Sequence, residues 1–135
     1  MPRYLLDTDI CSYAVKRKIP SLFERIKLAM LADEACISVI TRGELLYGLA
    51  LVPQATALRS AILAFLEEIP CLPWTARAAD QYGPLRAQQR LSGRPIGYID
   101  TQIATHALAE DLVLVTNNIR HYQQIPGLVL ENWAE

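Results

Sequence analysis

Lysine runs out early in this chain. Lys16, Lys18 and Lys27 are the only three, and every later cation is arginine. The segment G-x-x-x-x-G-K-[ST] does not occur, which excludes a P-loop phosphate cradle. Receiver domains that take up phosphate also need a late lysine, and none is present. Cysteine is scarce too. Cys11, Cys36 and Cys71 are odd in number, widely spaced and free of any C-x-x-C. That excludes a disulfide framework and argues against a zinc or redox site. The three thiols read as small buried side chains in a reducing compartment. Charge imbalance is missing as well. The net charge is −1, which excludes a strongly basic nucleic-acid coat but leaves room for a local basic patch. Long apolar runs are absent, since residues 45–53 fall far short of the ~20 a membrane span requires. The first residues leave no room for the apolar region of a signal peptide. A cytoplasmic protein with no membrane partner is expected.

What is present suits one compact unit over residues 1–135. Apolar residues make up 52% and charged residues 20%, with a mean hydropathy of +0.16. This excludes intrinsic disorder. At this mass about two-thirds of the chain's surface is buried on folding, which supports a core without staples. The apolar share is slightly above the usual one, which leaves some apolar surface for a partner.

Strand and helix patterns alternate. Strands are expected over 3–7, 35–39, 71–73, 112–116 and 128–131. Helices are expected over 8–16, from Pro20 on, and over 41–52, 54–69, 76–91 and 99–110. Such alternation implies a parallel sheet with helices on both faces. Ligands of these sheets gather at the carboxyl ends of the strands. Residues 92–97, rich in glycine and proline, form the one loop expected to move.

Most of the 14 carboxylates sit in polar contexts, as solvated charges do. Three do not. Asp7 ends the apolar strand Leu5-Leu6-Asp7. Glu44 shares a helix face with Ile40, Tyr47, Gly48 and Leu51. Asp100 shares one with Ile103, Ala104, Ala107 and Leu108. Each has an innocent role open to it. Asp7 suits an N-cap, Thr41-x-x-Glu44 matches a capping box, and Asp100 suits the positive end of its helix. Yet all three fall in the first turn of a helix near one sheet edge. Carboxylates converging there cannot all stay ionised without a cation among them. Oxygen donors with no Cys or His suit Mg²⁺ or Mn²⁺. His106 falls on another face of its helix from Asp100, and His121 lies in a polar segment. Both read as surface histidines.

The segments LLDTDICSY, ISVITRGELLYG, GRPIGYIDTQIATHAL and LVLVTNNIRHYQQIPGLVLENW cover nearly the whole chain. In their order and spacing they resemble a PIN-domain ribonuclease, and more closely a VapC-type toxin of a type II toxin–antitoxin pair. The resemblance implies a PIN-like three-layer α/β/α fold around a parallel five-stranded sheet. It implies Mg²⁺-dependent endonucleolytic cleavage of RNA, with tRNA as the family-level substrate. Asp7, Glu44 and Asp100 match the metal-binding catalytic acids. Many relatives carry a fourth acid where this chain has Asn118, so Asp9, Thr116 and Asn118 are assigned supporting roles. The resemblance also implies a homodimer neutralised by a VapB-type antitoxin, through which alone it would meet DNA.

Two other readings stay open on the residues. The missing fourth acid suits a catalytically inactive PIN-fold binding module. Asp7-Thr8-Asp9 after a strand also resembles the acid pair of haloacid-dehalogenase-like phosphatases, although the lysine and second acidic cluster of that class are absent. For RNA contact, Arg86 and Arg90 stand one helical turn apart and Arg94 follows in the loop leading to Asp100. Residues 77–94 hold four arginines against Asp80 alone. This suits phosphate tracking rather than base readout. The helix at 41–52 is apolar all round and must be covered on every side. With the helix at 54–69 it is expected to leave a groove or patch that marks an interface. An antitoxin helix lying on the first helix and the 41–69 pair would fit it.

Overall fold

The computed structural model describes residues 2–135. Its elements run β1 (Tyr4–Leu6), α1 (Thr8–Val15), α2 (Pro20–Leu31), β2 (Ala35–Ser38), α3 (Val39–Leu51) and α4 (Thr56–Glu68). They continue as β3 (Cys71–Leu72), α5 (Ala76–Leu91), α6 (Tyr98–Ala109), β4 (Val113–Val115), α7 (Ile119–Tyr122) and β5 (Leu130–Glu131). The five strands form one sheet in the order β3-β2-β1-β4-β5, and every pair is parallel. The chain first builds outward from β1 through β2 to β3. It then crosses back to lay β4 against the other side of β1. The gap between the ends of β1 and β4 is therefore a topological switch point, where ligands of such sheets bind.

Successive residues of a strand point to opposite faces, and β1 divides the core accordingly. Leu6 joins Ile10, Leu22, Ile26, Leu45, Leu49 and Ile62 on one side. Leu5 joins Cys36, Ile103, Ala104, Ala107 and Leu114 on the other. Helices on both faces explain why the strands read as unbroken apolar runs rather than alternating ones. Cys11 and Cys36 are buried and Cys71 partly so. Burial raises all three thiols, Cys36 to about 12, so they stay protonated and unreactive.

The element pattern matches expectation to within a few residues, with two informative departures. α3 starts at Val39 rather than 41, because the Ser38 side chain caps it by accepting from Ile40 N at 3.0 Å. The capping box at Thr41 and Glu44 therefore does not form. Thr41 is buried inside the helix, and its hydroxyl meets Thr8 Oγ1 at 3.2 Å. The second departure is α7, a four-residue helix that the sequence pattern did not mark. His106 corrects a further expectation. It is fully buried, with Nδ1 2.7 Å from Ser38 Oγ, and burial lowers its pKa.

The 92–97 loop is tied down by side chains. Arg94 Nη1 donates to Gln124 Oε1 at 2.7 Å, and the Thr101 hydroxyl donates to Gly97 O at 2.8 Å. Apolar surface is exposed where a partner was expected, at Leu46, Tyr47 and Leu51 of α3 and Leu63 of α4. No helix among the described residues is long and apolar enough to cross a membrane.

Candidate active site

Asp7 follows directly on β1, and its backbone N–H donates to Val115 O at 3.0 Å. The strand ladder thus fixes its backbone at the switch point. Its side chain caps α1, with Oδ1 accepting from Ile10 N at 2.8 Å. The N-cap role and a role in the site are compatible, because the carboxylate has a second oxygen. That side chain also takes a hydrogen bond from the Thr116 hydroxyl at the end of β4. Thr116 is itself buried, and it accepts from Asn118 N at 3.0 Å.

Only 4% of Asp7 is exposed. Burial pushes its pKa from 3.8 up to about 6, and the charges of Asp9 and Asp100 push the same way. The hydrogen bonds from Thr116 and Ile10 offset this only in part. Burial is thus the main cause, the carboxylates of Asp9 and Asp100 add to it, and Glu44, the third acid expected here, does not contribute.

Asp100 lies in the first turn of α6, after Gly97, whose φ of 93° is a conformation that favours glycine. Asp100 Oδ2 stands 2.8 Å from His121 Nε2. The same nitrogen is 3.0 Å from Ile96 O. A carbonyl oxygen only accepts, so Nε2 carries the proton and donates to both. His121 is thereby a clamp on Oδ2 of Asp100. The neighbouring Tyr122, 2% exposed, directs its hydroxyl at Asp100. Burial first, and then the charges of Asp100 and Asp7, hold that phenol far above its ordinary pKa. It stays protonated.

Glu44 sits on α3, half-buried. The contact between Thr8 and Thr41 brings the first turn of α3 beside the start of α1, and Glu44 is less than one turn further on. Asp9 is exposed in the first turn of α1. The structure thus brings Asp7, Asp9 and Asp100 within electrostatic reach and leaves Glu44 farther along the edge. Among the described residues no three His, Cys, Asp or Glu side chains stand close enough together to hold a metal ion. Two carboxylates with open positions match Mg²⁺, which keeps several waters and often takes only one or two protein carboxylates. The oxygen donor set fits that ion.

A scan against family models matches residues 4–127 to the PIN domain. The tRNA(fMet)-specific endonuclease VapC of Shigella flexneri is 37% identical over 134 residues, covering 99% of this chain and 100% of the relative. Ribonuclease VapC2 of Rickettsia felis is also 37% identical, over 96% of this chain and 97% of its own.

This chain belongs to the PIN-domain family, among the VapC ribonucleases.

The solved DNA-bound VapBC of Salmonella typhimurium has the same fold, with a TM-score of 0.90 at 34% identity over 98% of this chain and 99% of that one. Family membership sharpens the meaning of position 118. Where many VapC-type chains have a fourth acid, Asn118 is exposed and holds the strand end through its backbone. The group that reaches Asp100 from this segment is the His121 imidazole. His121, Tyr122 and Arg120 are the residues that sequence reasoning missed. The available signal was their place, since the polar run after a buried strand lies at the carboxyl edge. Without α7 in view, their direction could not be assigned. Of the expected RNA contacts, Arg90 is exposed near the end of α5 and Arg86 donates to Tyr82 Oη at 2.9 Å. Arg94 is turned toward α7 by Gln124.

Proposed function

We propose that this protein is a Mg²⁺-dependent endoribonuclease toxin of the cytoplasm, acting on tRNA and held in check by a VapB-type antitoxin. The observation that carries the reading is Asp7, a buried carboxylate whose pKa is raised beside Asp9 and Asp100. Such an arrangement is costly in an empty site and favourable around a divalent ion. Asp7 and Asp100 would hold the ion, with Glu44 completing the shell through water. When bound, Mg²⁺ (or Mn²⁺ in its place) polarises the scissile phosphate and lowers the pKa of the attacking water.

The chain's own groups do the rest. Glu44 accepts a proton from the attacking water at its carboxylate. The water oxygen bonds to phosphorus, the P–O bond to the leaving nucleotide breaks, and the leaving oxygen takes up a proton from solvent. His121 and Tyr122 hold the Asp100 carboxylate in one rotamer, as outer partners of metal ligands do. Arg86, Arg90 and Arg94 track the RNA backbone. His121→Ala is expected to slow cleavage about ten- to hundredfold, while His121→Gln, which keeps a donor, recovers part of the rate. Equal rates for the wild type and His121→Ala would remove His121 from the site.

The tRNA assignment is supported by the name of the Shigella flexneri relative. The antitoxin is supported by solved VapBC complexes, two of them on DNA, and in this reading DNA is reached only through it. A groove of about 420 Å³ opens between α1, α2 and α4, walled by Phe23, Ile26, Met30, Ala61, Ala64 and Phe65. Arg17, Lys27 and Glu68 line its rim. Ala14 and Val15, near the end of α1, reach the groove, and Asp7 caps the other end of that helix, about 12 Å away along its axis. An apolar helix in the groove with an extended basic tail therefore reaches the acids. The exposed Tyr47, Leu51 and Leu63 suit a homodimer contact.

The test is cleavage of a panel of cellular RNAs with Mg²⁺ and with EDTA. We expect tRNA to be cut in Mg²⁺ and spared in EDTA. RNA bound but uncut under both conditions would instead establish the inactive binding module.

A further inference from the structure

A cavity of about 460 Å³ lies between the second half of α5, the 92–97 loop and α7. We propose that it is the subsite for the nucleotide next to the scissile phosphate, with glutamine amides reading the edge of its base. The inference rests on the ribonuclease reading and adds to it a determinant of sequence preference.

Three observations support it. The first is position. His121 lines the cavity and also donates to Asp100 at 2.8 Å. An occupant is therefore one side chain away from the acids, about where the neighbouring nucleotide of a bound strand must lie.

The second is charge. Asp7, Asp9 and Asp100 crowd the sheet edge, whereas no carboxylate lines the cavity and both Arg94 and Arg120 do. The cavity accepts an anionic ligand as readily as the edge beside it accepts a cation. A nucleotide bridging the two presents phosphate to both.

The third is the chemistry of the wall. Gln88, Gln89 and Gln124 line it. A carboxamide offers a donor and an acceptor side by side, which matches the edge of a nucleobase. Two of these amides are held in place. Gln124 Oε1 accepts from Arg94 Nη1 at 2.7 Å, leaving its N–H₂ to donate. Gln89 is buried, and its Oε1 stands 2.9 Å from the Thr101 hydroxyl, next in sequence to Asp100. Leu85 and Ile125 supply an apolar floor, and no Phe, Tyr or Trp ring lines the cavity; the His121 imidazole in its wall is held by Asp100 and Ile96 O. Stacking on large aromatic rings, which is tolerant of sequence, has no Phe, Tyr or Trp to act here. Contact with the base edge, which discriminates, is the mode of binding here.

The test uses the full chain carrying Asp7→Asn, so that bound RNA survives. A randomised RNA octamer library is selected on this protein and on the same protein with Gln88→Ala and Gln124→Ala, then sequenced. The parent should enrich one base at one position about tenfold, and the glutamine variant should lose that enrichment. Arg120→Ala, a phosphate contact, should weaken all sequences alike. Enrichment that is absent from the parent, or unchanged in the glutamine variant, would overturn the proposal. So would glutamine substitutions that weaken antitoxin binding and leave the RNA profile intact. Because the selection reads binding, it fails independently of the ribonuclease reading, which falls if the wild-type protein leaves RNA uncut in Mg²⁺.

Discussion

Asp7→Asn should produce a protein that is both inactive and more stable. The activity half follows from the loss of a charge that the reaction needs. We expect cleavage to fall at least about 10²–10³-fold, the scale seen when one group stabilising transition-state charge is removed. The stability half follows from the raised pKa. Asp7 titrates near 3.8 unfolded and near 6 folded, so between those values the folded chain binds the extra proton. Stability then falls as pH rises from about 4 to about 6 and is level above that. At pH 7 the ionised carboxylate costs the metal-free protein about 2–3 kcal/mol. Asparagine escapes that cost, still caps α1 by accepting from Ile10 N, and turns its amide N–H₂ toward the Thr116 hydroxyl. Urea melts in EDTA at pH 7 should therefore show the variant more stable, and melts at pH 4 should show the two nearly equal. A variant less stable than the wild type at pH 7 would mean that Asp7 is a structural cap and no more. Saturating Mg²⁺ should narrow the gap at pH 7, since an ion bound only by the folded wild type stabilises it.

Ala64→Arg should release the toxin from its antitoxin. Ala64 is exposed on α4 and walls the groove between α1, α2 and α4. An arginine there is tolerated by the helix and fills the space an antitoxin side chain would take. Loss of a buried anchor at such an interface is worth about 2–4 kcal/mol, so affinity should drop at least about thirtyfold. Titration of the purified antitoxin against the two proteins measures it. Retained RNA cleavage by the variant shows that the fold is intact. If the affinities agree within a factor of two, the antitoxin binds elsewhere, and the exposed face of α3 becomes its site.

Much of this was legible in the sequence because strong patterns are local. The apolar run ending at Asp7 places an acid at a strand end. The apolar stripe beyond Asp100 is buried and marks that acid as misplaced for a surface charge, whereas the face shared by Glu44, Tyr47 and Leu51 is exposed. The α/β alternation orders the strands as parallel. What was not legible depends on long-range geometry. Ser38 displaced Thr41 as the cap of α3, because β2 ends one residue earlier than its apolar run suggests. His106 read as exposed from its helix face alone, yet β2 and α3 cover that face and give its ring Ser38 as partner. His121 stood in a polar stretch with no periodicity to read. Its contact with Asp100 spans 21 residues and exists only because α7 folds back against the start of α6.

The parallel topology also sets a schedule. Asp7 lies at the start of the chain, and its partner strand β4, Asp100, His121 and Tyr122 lie near the end. β5 then pairs with β4, and Trp133 packs edge-on against Tyr4 of β1 at 4.9 Å. Translation at about 5–20 residues per second separates the making of Asp7 from that of Tyr122 by roughly six to twenty seconds. Throughout that interval β1 has no β4 beside it and Asp7 has no Thr116 to meet it. The site thus takes shape only after β4 and α7 have been made, and the segment from β1 to α5 does not by itself hold the assembled acids.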